Sequence, residues 1–161
     1  MALIIEDGTQ VANSNSFVND AAYVAYAALK GLTVGATASE REIDLLAGID
    51  YLLGQEGSLQ GYRVSSTQAM FFPRTDVYLY GWAINSDSIP ENIKNAQMEA
   101  AAYSTSGALL NNTQMNNVMK EKVDALEVEY FKGGSRSNVN LQRVNIYLKP
   151  LFKTIDRLVR T

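Results

Sequence analysis

A chain with neither histidine nor cysteine has few side chains left that can do chemistry. Thiol nucleophiles, disulfides, thiolate or imidazole metal sites and histidine-based acid–base catalysis are excluded at once. Carboxylate chemistry survives in principle: Glu127 and Glu129 are spaced to share one face of a strand, where they could hold a metal or act as an acid–base pair. No third ligand stands nearby in sequence, and alternating acids are ordinarily the wetted side of a strand. There is no serine–lysine or all-carboxylate motif, so the chain is expected to be no enzyme and to need no metal or cofactor.

Two other groups could bind rather than react. Arg63, Gln68 and Arg74 fall in one glycine-punctuated stretch and could meet phosphates, for instance as contacts in a DNA channel. In the alternative reading, which is preferred, Arg74 follows Phe72-Pro73 to pin the loop to a carboxylate or to backbone carbonyls. The second group lies after Pro150. Leu151, Phe152, Ile155 and Leu158 recur on one side of an amphipathic segment, with Lys153, Arg157 and Arg160 along the other. A helix docking its apolar side in a partner's groove, with its cations on the partner's acids, has this pattern. The segment is too short and too poor in aromatics to favour a membrane surface.

Charge is distributed unevenly. Residues 1–130 hold 16 acids and 7 bases, net −9, and residues 131–161 hold 1 acid and 7 bases, net +6, which together give the −3 of the whole chain. A basic end on an acidic body is expected either to meet something negative or to fold onto the body itself.

The elements that must position these residues are mostly helical. Asn19 or Asp20 can cap a helix over Ala21 to Leu29 that Gly31 ends. Ser39 with Glu42 has the spacing of a capping box, followed by Ile43, Leu46, Ile49 and Leu53 at helical period up to Gly54; Leu45 and Leu52 widen that face. Residues 55–89 show no sustained period and carry Gly57, Gly61, Pro73 and Gly81. A helical turn over Ser65 to Phe72 is expected there, with Phe71, Phe72, Tyr78, Tyr80 and Trp82 packing the loop onto the helices. Pro90 suits the first turn of an alanine-rich helix reaching about Leu110. Lys120 to Tyr130 alternates on either side of Asp124-Ala125 and predicts a hairpin at about 120–131, with Val123, Leu126, Val128 and Tyr130 as its interface side. From Asn138 a last helix carries Leu141, Val144, Leu148 and Leu151 in one seam that Pro150 interrupts.

The fold expected is therefore mainly α: a small helical bundle, a β-hairpin before the C-terminal helix, and extended terminal arms. It divides into a helical domain over 1–149, with an N-terminal arm at about 1–18 and the long loop 55–89, and a basic amphipathic tail over 150–161. A length of 161 residues with 47% hydrophobic content supports one such core. Met1 to Asp7 is apolar only briefly before turning acidic, which argues against a signal or transit peptide, and no apolar run suits a membrane span.

Several motifs in order resemble a phage-encoded family. They are Ile4, Glu6-Asp7-Gly8, Ala12-Asn13-Ser14 and Phe17, then Gly61-Tyr62-Arg63-Val64-Ser65 with Gln68-Ala69, Phe72-Pro73-Arg74, and Ile89-Pro90 before the alanine-rich helix. That family is often labelled DnaT-like single-stranded-DNA-binding protein. The segment Glu121-Lys122-Val123 with Leu126-Glu127-Val128-Glu129-Tyr130 also resembles head-to-tail connector proteins of long-tailed phages. The resemblance spans about residues 3–131. It implies a structural adaptor in the virion, assembled in the host cytoplasm as a ring of copies, commonly 12, between the portal protein and a tail or stopper protein, with double-stranded DNA passing through. On that reading the tail residues Leu151, Phe152, Lys153, Ile155, Arg157, Leu158 and Arg160 bind the portal. The alternative is a single-stranded-DNA-binding replication accessory, with Tyr62, Phe71, Phe72, Tyr78 and Trp82 as stacking platforms. The acidity of the body, which repels phosphate, places that alternative second.

Overall fold

The computed structural model describes residues 2–106, 120–123, 126–129 and 141–153. Among these the fold is mainly α with small antiparallel hairpins, as expected. Helix α1 spans Asp20–Lys30. Asn19 caps it, its Oδ1 accepting from the Ala22 N–H at 2.8 Å, and Gly31 closes it in the left-handed conformation.

Helix α2, Ala38–Leu53, begins at a different capping box from the one predicted. The Ser/Thr-x-x-Glu spacing occurs twice here, and Thr37 with Glu40 forms the box. Thr37 Oγ1 accepts from the Glu40 N–H at 3.3 Å and Glu40 Oε2 from the Thr37 N–H at 2.9 Å. That start puts Arg41 in the first turn, where its guanidinium binds Asp20 of α1 through two bonds of 2.6 and 2.8 Å. The buried stripe is Leu45, Gly48, Ile49 and Leu52, while Ile43 and Leu53 of the predicted stripe are exposed. The rotation follows from α3, Glu91–Ser106, which lies against Gly48. A Cβ at Gly48 would stand 2.8 Å from the Gln97 carbonyl oxygen, so the two backbones meet where glycine faces Ala100 and Ala101. Pro90 precedes α3 and accepts from the Ile93 N–H at 2.9 Å; the predicted extension to Leu110 lies outside the described residues.

The N-terminal segment is folded back rather than extended. The buried Glu6 carboxylate accepts from the N–H groups of Gly8 and Gln10 and from the Ser14 hydroxyl, and Phe17 enters the core. Gln97 of α3, also buried, accepts from the Phe17 N–H and donates to Ser16 Oγ and the Leu45 carbonyl. One amide thus joins the arm, α2 and α3.

Helix α4, Gln142–Leu148, completes the bundle against α3, and Leu141, Val144, Leu148 and Leu151 form the predicted buried seam. Pro150 converts the chain to a 3₁₀ turn, Lys149–Leu151. Among the described residues six short strands form three hairpins: β1 (Tyr62–Arg63) with β2 (Arg74–Thr75) and β3 (Tyr78–Leu79) with β4 (Trp82–Ala83), both before α3, and β5 (Lys120–Val123) with β6 (Leu126–Glu129) between α3 and α4. The last of these is the predicted late hairpin, in register Lys120↔Glu129 through Val123↔Leu126.

Candidate nucleic-acid interface

The long segment 55–89 is built rather than loose. It holds a 3₁₀ turn at Glu56–Ser58, β1 (Tyr62–Arg63) paired with β2 (Arg74–Thr75), and β3 (Tyr78–Leu79) paired with β4 (Trp82–Ala83). The helical turn predicted over Ser65 to Phe72 does not form, because the Gln68 side chain takes the backbone groups a helix would need. Its Oε1 accepts from the Ser65 N–H at 2.9 Å, and its Nε2 donates to the carbonyls of Met70 and Pro73 at 2.8 and 3.0 Å.

Arg74 is the centre of the construction. Only 6% exposed, it donates to the Gln60 carbonyl at 2.8 Å, the Gly61 carbonyl at 2.7 Å, the Phe71 carbonyl at 3.3 Å and Glu56 Oε1 at 3.1 Å. Arg63 grips the same carboxylate with two bonds of 2.7 Å. The bidentate Arg63 bond, aided by the charges of both arginines, holds the Glu56 carboxyl below its ordinary value. Burial lowers the Arg74 guanidinium's pKa, and Glu56 opposes that shift. Gly61 makes the close approach feasible: its φ is +65°, and a Cβ there would stand 1.8 Å from the Thr75 carbonyl oxygen. Of the readings of Arg63, Gln68 and Arg74, the pin is the one observed. All three are engaged with their own loop.

What the pins hold up is aromatic. Phe71 and Phe72 pack edge to face in the core as expected, with ring centroids 5.8 Å apart. Tyr62, Tyr78, Tyr80 and Trp82 do not anchor the loop; they are 73, 54, 76 and 78% exposed. Phe71 and Phe72 are therefore removed from the predicted stacking set, and Tyr80 joins it. Tyr80 and Gly81 form the two-residue turn between β3 and β4, with φ of 53° and 88°, the paired left-handed geometry that matches strand twist. Gln60 links the hairpins: its Oε1 accepts from the Tyr78 N–H at 3.0 Å, two residues before Tyr62 begins β1. Sequence inspection missed Glu56 and Gln60 as organisers. The signal for the exposed hairpin was present in Tyr80-Gly81 between flanking aromatics.

The tail residues start from the same place. Leu151 is fully buried, Phe152 bridges to Leu59, and the Lys153 N–H donates to the Ser58 carbonyl at 2.8 Å. Gln60 clasps this stretch through Nε2, to the carbonyls of Pro150 at 3.0 Å and Phe152 at 3.2 Å. Leu151 and Phe152 are thus packed against the body; Ile155, Arg157, Leu158 and Arg160 lie outside the described residues. So does Tyr130 of the predicted hairpin interface, while Val123, Leu126 and Val128 sit in the paired strands β5 and β6.

The described part of the protein is thus mainly helical, with Tyr62, Tyr78, Tyr80 and Trp82 facing solvent on or beside hairpins held by Arg74, Arg63 and Gln60. The whole chain, residues 1–161, matches the sequence family described as "Putative DnaT-like ssDNA binding protein", and the chain belongs to that family. No curated protein and no solved structure matches it. The family match corrects the expected identity as a virion head-to-tail connector: the family is described by single-stranded DNA, not by a phage structural role, and it spans the tail that the motif resemblance left out.

Proposed function

We propose that the protein binds single-stranded DNA by stacking bases on Tyr62, Tyr78, Tyr80 and Trp82. The observation that supports this is the exposure of all four rings on backbone held by Arg74, Arg63 and Gln60. Base stacking on aromatic side chains contributes roughly 1–3 kcal/mol per base and tolerates any sequence, since every base has a π face. The acidity of the body repels the strand's phosphates, so stacking on the rings has to outweigh that repulsion. With Arg63 and Arg74 bound to Glu56, few cations of the described platform are free for phosphate, and stacking carries the affinity.

The chain has a single tryptophan, Trp82, which makes the test direct. Titration with a thymidine oligonucleotide is expected to quench its emission as bases stack. Trp82→Phe retains a π face and binding, followed by anisotropy of a labelled strand, whereas Trp82→Ala weakens binding about 10- to 100-fold. An emission spectrum and an anisotropy that both stay flat to saturating oligonucleotide would refute the proposal.

A further inference from the structure

Glu99 is a buried carboxylate with no part in holding the hairpins. Only 7% exposed, it stands on α3 where α4 and the C-terminal end of α1 converge, and it lines a cavity of about 480 Å³ there. Its Oε1 accepts from the Tyr26 hydroxyl at 2.9 Å, and the hydroxyls of Tyr26 and Tyr147 are 3.1 Å apart. A phenol has one proton to give, so Tyr26 donates to Glu99 and Tyr147 donates to Tyr26. Burial, with these two bonds, raises the pKa of Tyr26 and keeps that proton in place. Oε2 is left. Among the described residues its cation is Arg143, whose Nη1 stands at 3.8 Å, beyond hydrogen-bond distance, on a side chain 70% exposed. Lys30, at the end of α1, is turned over the Tyr26 ring, with Nζ 5.7 Å from its centroid.

We infer that this cavity binds a small primary alkylamine, with its ammonium group on Glu99 Oε2. Leu32, Ala102 and Val144 give the cavity an apolar wall for the alkyl chain. Thr33 and Ser106 also line it, and Ser106 Oγ, which donates to the Tyr103 carbonyl at 2.8 Å, keeps its lone pairs for a donor such as ammonium. With Oε1 engaged by Tyr26, a single carboxylate oxygen is turned toward Arg143, which lines the cavity with it. One oxygen suits a compact ammonium, whereas the planar fork of a guanidinium is matched by two. An acid buried this deeply gains from a cation held at hydrogen-bond distance, which Arg143 does not provide. Arg143 reaches it from solvent and gives way at little cost. The volume lies within the range of small-ligand sites, about 300–1,000 Å³. No residue of the hairpins lines this cavity, so the inference is independent of the stacking proposal.

n-Hexylamine, titrated into the full chain near neutral pH and followed by calorimetry, is expected to fill one saturable site per chain. 1-Hexanol, of equal length but uncharged, is expected to bind at least about tenfold more weakly. Glu99→Gln keeps an acceptor for Tyr26 but loses the charge, and should weaken hexylamine about 10- to 100-fold. Arg143→Ala removes the competing cation from an exposed position and should tighten hexylamine about two- to fivefold. Should Glu99→Gln fail to fold, the direction of the Arg143→Ala effect decides: weaker or unchanged binding overturns the inference. Equal binding of the amine and the alcohol would mean that the cavity takes the chain without the carboxylate. No saturable binding to the wild type or to Arg143→Ala would mean that Glu99 is satisfied by its own surroundings. Either result overturns the inference and leaves the stacking proposal standing.

Discussion

Tyr80 is where conformation and exposure conflict most openly. A bulky residue with positive φ costs about 1–2 kcal/mol relative to the ordinary regions, and its ring gains almost no burial in return. Asparagine or glycine would serve the turn better, so the tyrosine is best explained by what its ring does in solvent. Tyr80→Asn is expected to raise stability by about 0.5–1 kcal/mol in urea denaturation while weakening single-strand binding about tenfold; a stabilised variant with intact binding would remove Tyr80 from the platform. Arg74 shows the opposite balance, since its removal leaves the carbonyls of Gln60, Gly61 and Phe71 without their donor and Glu56 with one arginine fewer. Arg74→Ala should lower stability by about 3 kcal/mol and abolish the platform with it. Glu56 and Asp20 link the same interactions to pH. Both carboxyls are held below their ordinary values, Glu56 by its bond from Arg63 and Asp20 by its bond from Arg41. The unfolded chain therefore takes up their protons more readily than the folded one. Their stabilisation is complete above the unfolded carboxylate pKa values of about 4 and is lost as pH falls through the lower folded values. The urea midpoint should decline on acidification below about pH 4, and Glu56→Gln should start lower and decline less.

Among the elements, those with local signals were legible. Asn19 and Gly31 bound α1 as their chemistry requires, Pro150 ended α4, and alternation over Lys120 to Glu129 gave the late hairpin. The stripe of α2 was misread because period alone cannot tell which of two overlapping apolar faces meets a neighbour; Gly48 decides it, through a contact with Gln97 that is 49 residues away in sequence. The same limit hid the hairpins within 55–89, whose strands are two residues long and owe their form to Arg74, Gln68 and Gln60 rather than to any run of β-formers. For the site, the arginines and aromatics are legible in the sequence, but the expectation that Tyr78, Tyr80 and Trp82 pack the loop onto the helices does not hold, since all three are exposed. Ring type does not encode which side of a hairpin faces water. The close α2–α3 approach can be tested at the element itself: Gly48→Val should force the helices apart at Gln97 and Ala101 and cost about 2–3 kcal/mol, read from the urea midpoint.

At the scale of the whole molecule, the proposed stacking role makes a prediction about which form of nucleic acid the arrangement of charge and aromatics should prefer. A duplex presents a higher phosphate density than a single strand and is favoured by proteins that bind through cations. Here the body is acidic, net −9 over residues 1–130, and two of its arginines are turned inward onto Glu56, so that electrostatic advantage is largely withheld. The exposed rings reward only unstacked bases, and a duplex would have to give up its own stacking, a cost of a few kcal/mol per extruded base, to reach them. Both effects favour the single strand. In competition at physiological salt, an unlabelled single strand should displace a labelled one at least tenfold more effectively than a duplex of equal length, a margin of about 1.4 kcal/mol that one stacked base is sufficient to provide. Raising the salt should widen the margin, because the duplex depends on the screened term and the single strand on the unscreened one. Equal competition by the two forms would mean that cations, not rings, set the affinity, and that the exposed aromatics of β1, β3 and β4 face something other than a nucleobase.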